Sequence, residues 1–446
     1  MASSSMQDRP RRLPNEKEDY LSSVFVQTAH ILAQVITGHS LSQVFEKHWR
    51  DYGTDLQSAV SHLCYHVLRE FGSLEAIIDQ LAKKPPEKPQ LLALLLAACY
   101  RLKTRPLLAY ATIDQAVQAA KVLHLPTGFV NAILRNYLRN KADIDQYIEA
   151  SEAPEIRYNF PAWWLFCLQN QYPDDWEHIV TMSNSHPPMT LRVNQKKISV
   201  DAYLDLLQKS DINAIAIDGQ AIRLIEPVSV SDLPGFFEAL VSVQDASAQK
   251  AAEFLSVKSG DHVLDACCAP GGKTGHMLEM ADISLLGLDV DASRIDKVRE
   301  NLDRLDLMDE SKVSLVVSDC RKTDQWFDGQ PFDKILLDAP CSGSGVVRRH
   351  PDGKWLKSPK DVVKLQQTQQ GMLHSLWQVL KPGGLLLYAT CSVFEAENQQ
   401  QIKQFLSETE DARCCLISGN EMAQFLPTED HDGFFYALLQ KRKEEE

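Results

Sequence analysis

Apolar positions in the first third of the chain recur at intervals of three and four residues, which predicts a series of helices from 18 to 141. Gly38 is placed to end the first helix, and Ser40 and Thr54 are placed to cap the next two at their N-termini. The longest apolar run, 91–100, is too short to span ~30 Å of hydrocarbon and predicts a buried helix. Because no strand-like alternation is present, we expect an all-helical domain here.

The pattern changes after residue 141. Between 142 and 240, a stretch rich in aromatic residues and a Pro-Pro pair precede three short β-rich runs, at 189–193, 214–217 and 221–225. This mixture predicts a small α+β domain that links the helical part to the rest of the chain.

From 241 to 440, strand-like and helical segments alternate. The predicted strands are 262–266, 284–290, 313–318, 334–338 and 385–390. The predicted helices between them are 273–280, 292–305 and 360–380. Such alternation indicates a parallel sheet covered by helices on both faces, a Rossmann-like α/β domain. Outside these domains we expect a mobile tail at 1–17, which lacks the apolar segment of a secretory signal, and a charged tail at 441–446.

The composition narrows the class of protein. The 446 residues are 44% hydrophobic and 24% charged, which is typical of globular chains and excludes wholesale disorder or a coiled-coil rod. The ten cysteines include no Cys-x-x-Cys pair, a pattern that suits neither a zinc site nor a disulfide framework. We therefore expect no bound metal, no membrane partner and reduced thiols in the cytoplasm.

Charge is distributed unevenly, although the net charge is −14. An acidic protein can bind nucleic acid only through local basic patches, and two clusters are candidates. The first contains Arg101, Lys103, Arg105, Lys121, Arg135, Arg139 and Lys141. The second contains Arg348, Arg349, Lys354, Lys357, Lys360 and Lys364. The second cluster begins just after Cys341, so we expect it to hold phosphates beside a bound target.

Every predicted strand of the last domain leads into an acidic residue or a cysteine. The residues at these ends are Asp265, Asp289, Asp319, Asp338 with Cys341, and Cys391. In open parallel sheets, ligands bind at the carboxyl ends of the strands, near the point where the strand order reverses. Since burying such polar ends without a role would cost free energy, their convergence predicts a ligand site.

The loop after the first strand contains a Gly-Gly pair, 271–272, that opens a predicted helix. It is not a phosphate-binding P-loop, because position 267, six residues before Lys273, is a cysteine, and the G-x-G-x-x-G fingerprint is also absent. A ligand can approach the backbone closely at such a turn. With Asp289 placed for ribose hydroxyls and Asp319 for an adenine amino group, the pattern favours a nucleoside cofactor without pyrophosphate. S-adenosylmethionine (SAM) is the leading candidate.

The two cysteines at strand ends suit chemistry on a cytosine ring. C5 of cytosine is too weak a nucleophile to take a methyl group, but a thiolate that adds at C6 activates it. A carboxyl group beside ring N3 would stabilise the developing charge, a role that suits Asp338. A base must then remove the C5 proton so that the thiol can leave. One of Cys341 and Cys391 would attack, and the other would assist.

Three segments resemble the RNA cytosine-C5 methyltransferase family, in the branch that modifies bacterial small-subunit ribosomal RNA. They are DACCAPGGKT at 265–274, LDAPCSGSGVVRRHPD at 337–352 and YATCSVFEAEN at 388–398. Two helical segments resemble the RNA-binding NusB-type fold of antitermination factors, AYATIDQAVQAAK at 109–121 and TGFVNAILRNYLR at 127–139. The resemblance implies a NusB-like RNA-binding domain at 18–141, a small α+β RNA-binding or linker domain at 142–240, and a SAM-dependent methyltransferase domain at 241–440.

The resemblance also implies residue roles. Cys391 would be the nucleophile, Cys341 would assist product release, and Asp338 would face the target base. The residues expected to contact SAM are Cys267, Cys268, Ala269, Pro270, Gly271, Gly272, Lys273, Asp289, Asp319 and Asp338. The chain departs from the family pattern at Cys268, where alanine is usual. Spacing alone leaves the attacking cysteine open, because DNA cytosine methyltransferases attack with the cysteine of a Pro-Cys pair, which here is Cys341.

The sequence therefore predicts a SAM-dependent enzyme that methylates C5 of a cytidine in 16S ribosomal RNA, either free or in an assembly intermediate. An alternative is a non-catalytic RNA-binding or regulatory protein that acts through its NusB-like domain. That alternative requires a degenerate catalytic site, whereas every chemical position is filled. A nicotinamide-dependent oxidoreductase is disfavoured by the missing glycine fingerprint.

Overall fold

The structure of the protein, a computed structural model, describes residues 20–49 and 53–443. The tail predicted at 1–17 lies outside these residues, as do the last three positions of the tail predicted at 441–446. The chain divides into two compact units, Met1–Trp164 and Leu165–Glu446.

The first unit is helical throughout its described residues, as predicted. Its helices are α1 (Tyr20–Ile36), α2 (Leu41–His48), α3 (Thr54–Arg69), α4 (Phe71–Leu81), α5 (Pro89–Thr104), α6 (Ala109–Val122), α7 (Thr127–Arg139), α8 (Lys141–Ala150) and α9 (Pro154–Arg157). The apolar run predicted to be a buried helix lies in α5, which packs against α1, α3, α4, α6 and α7. The unit extends past 141 because α8 and α9 pack on α4.

The predicted helix ends are confirmed at two positions and wrong at one. Gly38 follows the end of α1 with a φ of 106°, a left-handed conformation that favours glycine. Ser40 caps α2, because its side-chain oxygen accepts a hydrogen bond from the Gln43 backbone N–H. Thr54 is not a cap. Gly53 occupies the capping position of α3, so Thr54 already lies in the first helical turn.

The second unit begins within α10 (Ala162–Gln171) and contains a small antiparallel sheet. Its elements are α11 (Trp176–Asn184), β1 (Met189–Val193), α12 (Val200–Lys209), β2 (Ala214–Ala216), β3 (Ala221–Leu224) and β4 (Val241–Val243). The strand order is β2-β3-β1-β4. The three predicted strands are confirmed. The fourth, β4, carries the sheet past the boundary drawn at 240, and at three residues it is too short to show alternation.

The larger sheet holds the predicted strand ends. Its elements are α13 (Ala246–Leu255), β5 (His262–Asp265), α14 (Gly272–Met280), β6 (Ser284–Asp289), α15 (Ala292–Arg304), β7 (Val313–Val317), β8 (Phe332–Asp338), α16 (Gly353–Leu356), α17 (Pro359–Gln378), β9 (Leu380–Thr390), α18 (Gln399–Glu408), β10 (Ala412–Cys415), β11 (Met422–Phe425) and β12 (Phe434–Lys441). The order is β10-β12-β9-β8-β5-β6-β7, with β11 paired to β12.

The five predicted strands, β5 to β9, pair in parallel, and helices cover both faces of the sheet. The sheet as a whole is mixed and not purely parallel, because β12 pairs antiparallel with β9, and β10 and β11 pair antiparallel with β12. The Rossmann-like α/β class is confirmed. The strand order reverses between β5 and β8, which places a ligand crevice at their carboxyl ends. No helix in the described ranges is both long and apolar enough to cross a bilayer.

Candidate active site

The two cysteines at strand ends lie in contact. β8 and β9 are parallel neighbours, with Asp338 in register with Ala389, so the loops that follow them leave the sheet side by side. The Sγ atoms of Cys341 and Cys391 are 3.3 Å apart, and both residues are half-buried. Fifty positions of sequence separate two thiols that the sheet brings together, as the strand-end pattern predicts.

The environment of Cys341 favours its protonated form. The hydrogen bond with Cys391 and the burial of the thiol raise the pKa of Cys341 well above its ordinary value. The negative charges of the Cys391 thiolate and of Glu397 raise this pKa further. Ionisation of Cys341 is therefore opposed by its surroundings.

Glu397, a residue that the sequence did not single out, lies beneath both cysteine loops. It belongs to a one-turn 3-10 helix, Glu395–Glu397, and its side chain is fully buried. Its carboxylate accepts hydrogen bonds from the Ser342 backbone N–H at 2.8 Å and from the Ser392 hydroxyl at 2.6 Å. These serines directly follow Cys341 and Cys391 in the chain. The sequence signal that could have found it is a glutamate placed shortly after the Thr-Cys-Ser segment at the end of a strand.

The turn between β5 and α14 has the predicted glycine geometry. Gly271 adopts a φ of 96°, and a Cβ there would lie 3.2 Å from the Val298 Cα. Both observations restrict the position to glycine. Helix α14 begins at Gly272 without a side-chain cap, so the first N–H groups of the helix have no i−4 partner within it, which suits an anionic or polar ligand group.

Asp265 at the end of β5 carries an unsatisfied acceptor. It is 1% exposed, and one carboxylate oxygen, Oδ2, accepts a hydrogen bond from the Thr274 hydroxyl at 2.7 Å. The other oxygen, Oδ1, has no hydrogen-bond partner within the described part of the chain. Burial raises the pKa of Asp265 to about 7, and the nearby carboxylate of Asp338 contributes to this rise. A buried carboxyl oxygen that has no hydrogen-bond donor suits a cationic group of a ligand.

Lys273 joins the glycine turn to the cysteine loop. Its Nζ atom forms an ion pair of 2.6 Å with Oδ2 of Asp338, the last residue of β8. Asp338 retains 29% side-chain exposure, so its carboxylate is accessible from the crevice. The predicted cofactor loop and the predicted base-facing carboxylate are therefore in direct contact.

The two adjacent cysteines of the glycine loop point in different directions. Cys268 is buried, and its Sγ atom would lie 3.2 Å from a Cβ on Gly287, so it packs against β6 in the core. Cys267 lies beside Cys320, and this hydrogen bond together with burial raises its pKa well above the ordinary value. The extra thiol at position 268 therefore faces the interior of the sheet and not the crevice.

Asp289 and Asp319 follow the neighbouring strands β6 and β7, at the same edge of the sheet. Asp289 is 4% exposed and forms an ion pair of 3.2 Å with Arg294, whose guanidinium also donates to the Ala269 carbonyl. Asp319 pairs with Arg321 at 2.6 Å, and this contact lowers the pKa of Asp319. Both carboxylates therefore lie at the carboxyl edge of the sheet, and each is paired with an arginine.

A buried arginine supports the glycine turn from the smaller sheet. Arg192 of β1 is fully buried and forms a bidentate ion pair with Glu279 of α14, with N–O distances of 2.8 and 2.9 Å. It also donates to the Gly272 carbonyl at 2.7 Å. Sequence reasoning missed this residue, although an arginine inside the apolar strand MTLRV was a visible signal.

The second basic cluster is largely internal, which corrects the expectation that it holds phosphates. Arg348 is 1% exposed and binds the buried carboxylate of Asp432, which also contacts Arg349. Lys354 is buried and donates to the Asn184 side chain at 2.7 Å. Of the six residues, only Lys360 and Lys364 are exposed. A buried guanidinium requires an anionic partner, and Asp432 supplies it.

The first basic cluster is mostly at the surface of the helical unit. Arg105, Lys121, Arg135 and Arg139 are exposed, whereas Lys103 and Lys141 form ion pairs with acidic neighbours. This cluster therefore remains available for phosphate contacts.

Three family models match the chain. The 16S rRNA methyltransferase RsmB/F model matches residues 252–440, an RsmF/B-like ferredoxin-like domain model matches 160–231, and the NusB family model matches 26–139. The chain is 41% identical to the ribosomal RNA small subunit methyltransferase B of Proteus mirabilis, over 93% of this chain and 97% of that protein. It is 40% identical to the protein of the same name from Vibrio cholerae, over 95% and 98% of the two chains.

Solved structures show the same fold. The structure of PH0851 matches with a TM-score of 0.76 at 23% identity and covers 96% of this chain and 99% of that one. A methyltransferase homologue from Pyrococcus horikoshii matches with a TM-score of 0.57 at 27% identity, over 64% of this chain and 97% of that one.

Proposed function

The chain belongs to the 16S rRNA methyltransferase RsmB/F family, and on this basis we propose that it methylates C5 of a cytidine in small-subunit ribosomal RNA. We place this activity in the cytoplasm. The observation that carries the chemistry is the contact of 3.3 Å between the Cys341 and Cys391 sulfurs, beside the carboxylate of Asp338. A thiolate, a second thiol and a carboxylate are the groups that C5 methylation requires.

Cys391 is the proposed nucleophile. Its thiolate adds to C6 of the cytosine, and the electron pair of the C5=C6 bond moves to C5, which becomes nucleophilic. SAM supplies the methyl group that C5 receives. Asp338 would face the base, where its carboxylate can accept a hydrogen bond from the cytosine amino group, and the Lys273 ammonium paired with it offsets the negative charge that develops on the ring. The raised pKa of Cys341 supports this assignment, because a thiol whose ionisation is opposed is the poorer nucleophile.

Cys341 is the proposed base for product release. Once Cys391 is bound to C6, it no longer carries the charge that opposes ionisation of Cys341, so Cys341 can lose its proton to solvent. The Cys341 thiolate then accepts the C5 proton, the C5=C6 bond reforms, and Cys391 leaves as a thiolate. The reaction releases one proton overall, which is the proton that Cys341 gives up.

The crevice fits the proposed cofactor in its acceptor and donor groups. The orphaned oxygen of buried Asp265 suits an ammonium group, and the first-turn N–H groups of α14 have no i−4 partner within the helix. The predicted contacts, 267–273 together with Asp289, Asp319 and Asp338, would hold SAM. Cys268 would contribute only its backbone, because its side chain packs against β6.

Cofactor affinity is expected to fall as the pH is lowered through 7. Free Asp265, with a pKa of about 7, is mostly protonated at pH 6, whereas a bound ammonium group favours the ionised form. Calorimetric titration with S-adenosylhomocysteine should therefore show binding about tenfold weaker at pH 6 than at pH 8. In Asp265→Asn the affinity should be lower and independent of pH. A flat profile for the unaltered protein would remove Asp265 from the cofactor site.

RNA binding by the helical unit is expected to depend on salt through its exposed arginines. Arg135 and Arg139 lie on one face of α7, and within the described residues their guanidinium groups donate only to neighbouring asparagines of that helix. Changing both to glutamine should weaken binding of a 16S rRNA fragment and reduce the slope of log affinity against log salt by about 0.7 per lost contact. Fluorescence anisotropy at several salt concentrations measures this slope. The control is Lys312→Gln, which removes an exposed charge already paired with Asp282. An unchanged slope for the arginine variant would exclude α7 from the RNA interface.

Tritium transfer from methyl-labelled SAM to ribosomal RNA tests the proposed activity directly. Free 16S rRNA and partly assembled small subunits should both be assayed, and bisulfite sequencing should locate the product at C5 of a cytidine. Binding of RNA without transfer would favour the non-catalytic alternative. Transfer to cytosine-containing DNA in preference to RNA would contradict the proposed substrate.

A further inference from the structure

Glu397 is a buried carboxylate whose hydrogen-bonding neighbours are uncharged. It is 0% exposed, and in the described part of the chain it forms no salt bridge. Its donors are the Ser342 N–H, the hydroxyls of Ser342 and Ser392, and the Gln369 side-chain amide at 3.2 Å. Burying a carboxylate costs several kcal/mol unless its oxygens are well solvated by donors, which these four groups achieve.

This carboxylate joins the two cysteine loops at one point. Ser342 is peptide-bonded to Cys341, and Ser392 is peptide-bonded to Cys391. Further hydrogen bonds link the same loops, among them one from the Val393 N–H to the Ser344 hydroxyl at 2.8 Å and one from the Gly345 N–H to the Cys391 carbonyl at 2.9 Å. Glu397 is the acidic residue of this network, and its carboxylate is hydrogen-bonded to both loops.

The carboxylate of Glu397 makes more contacts with the residue after Cys341 than with the residue after Cys391. It accepts hydrogen bonds from both the backbone N–H and the hydroxyl of Ser342, but from the Ser392 hydroxyl alone. A fixed negative charge disfavours a second negative charge beside it. Ionisation of Cys341 is therefore opposed, in agreement with the contribution of Glu397 to the raised pKa of that thiol.

We propose that Glu397 is a positioning residue that holds the two cysteine loops in contact and keeps the shared proton on Cys341, so that Cys391 is the thiol that ionises. This role rests on the proposed function, because it assigns attack to Cys391 and release to Cys341. After attack, the same charge makes the Cys341 thiolate a stronger base for the C5 proton.

Thiol alkylation tests the proposal without RNA or cofactor. The protein is treated with iodoacetamide over a range of pH, and mass spectrometry measures the rate at each cysteine. In the unaltered protein, Cys391 should be modified at lower pH than Cys341. In Glu397→Gln, which preserves the side-chain volume, the pH midpoint for Cys341 should fall by about one unit, giving about tenfold faster modification near neutral pH.

Two further variants distinguish the effect of the Glu397 charge from the effect of its position. Glu395→Gln removes a negative charge from the same 3-10 turn without touching either loop, since that side chain contacts Gln400, and it should leave both midpoints unchanged. Glu397→Asp retains the charge and should keep the order of the two thiols. An unchanged Cys341 midpoint in Glu397→Gln would overturn the proposal.

If Glu397→Gln does not fold, the unaltered protein still decides the question, because modification of Cys341 at lower pH than Cys391 would also overturn the proposal. The order of thiol ionisation and the transfer of label to RNA are independent measurements. A protein that shows the expected alkylation pattern but no methyl transfer would contradict the proposed function and leave the role of Glu397 intact.

Discussion

The Cys391→Ala variant is expected to lose methyl transfer by a factor on the order of 10³ or more, because it removes the nucleophile that activates C5. Label transfer from methyl-labelled SAM to 16S rRNA measures the loss. Circular dichroism should remain unchanged, because Cys391 is half-buried and alanine fits its space.

The Cys341→Ala variant should behave differently. Attack by Cys391 and methyl transfer proceed, but the C5 proton is not removed, so the enzyme remains joined to the RNA through C6. A covalent protein–RNA complex should accumulate on denaturing gels, and it should be absent from Cys391→Ala and from the double variant. The reverse pattern, with a complex in Cys391→Ala alone, would assign attack to Cys341.

Arg192→Met is expected to lower the free energy of unfolding of the Leu165–Glu446 unit by about 3–5 kcal/mol. The guanidinium is fully buried, and its loss leaves Glu279 as an uncompensated charge at 6% exposure. Urea denaturation followed by tryptophan fluorescence measures the change. Binding of S-adenosylhomocysteine should also weaken, because the Gly272 carbonyl loses its donor at the start of α14.

The matched control is Arg223→Met in β3 of the same small sheet. Arg223 forms an ion pair of 3.0 Å with Asp430, but both side chains are partly exposed, so its loss should cost less than about 1 kcal/mol. Arg192→Met combined with Glu279→Leu should recover most of the lost stability, because it replaces the buried pair with apolar side chains. A single Arg192→Met variant as stable as the control would refute a supporting role for this pair.

Features that depend on local sequence were predictable. The strand ends that carry Asp338 and Cys391 were placed correctly, because parallel strands deliver their carboxyl ends to one edge of a sheet. The glycine turn was also predictable, because a Gly-Gly pair between a strand and a helix indicates a tight turn with close backbone approach. The strands β1, β2 and β3 of the middle region were predictable too, because each corresponds to a β-rich run in the local sequence.

Features that depend on distant partners were not predictable. The exposure of Arg348 is decided by Asp432, which is 84 residues away in sequence, so a basic run that indicated a phosphate site forms an internal ion-pair network. The partners of Glu397 and Arg192 are likewise brought together only by the folded sheet. Thr54 shows that prediction is also limited at short range. The helix begins one residue earlier than predicted, so Gly53 and not Thr54 occupies the capping position.

The offset of each cysteine from its strand has a consequence for insertions and deletions. Cys341 lies three residues after β8 ends and Cys391 lies directly after β9, and the two strands are hydrogen-bonded neighbours. One residue added within either strand would turn every later side chain of that strand to the opposite face and separate the sulfurs. Residues added between α16 and α17 would leave that alternation untouched. Gaps in an alignment of distant relatives should therefore be tolerated between the two motifs and excluded from the strands that precede them.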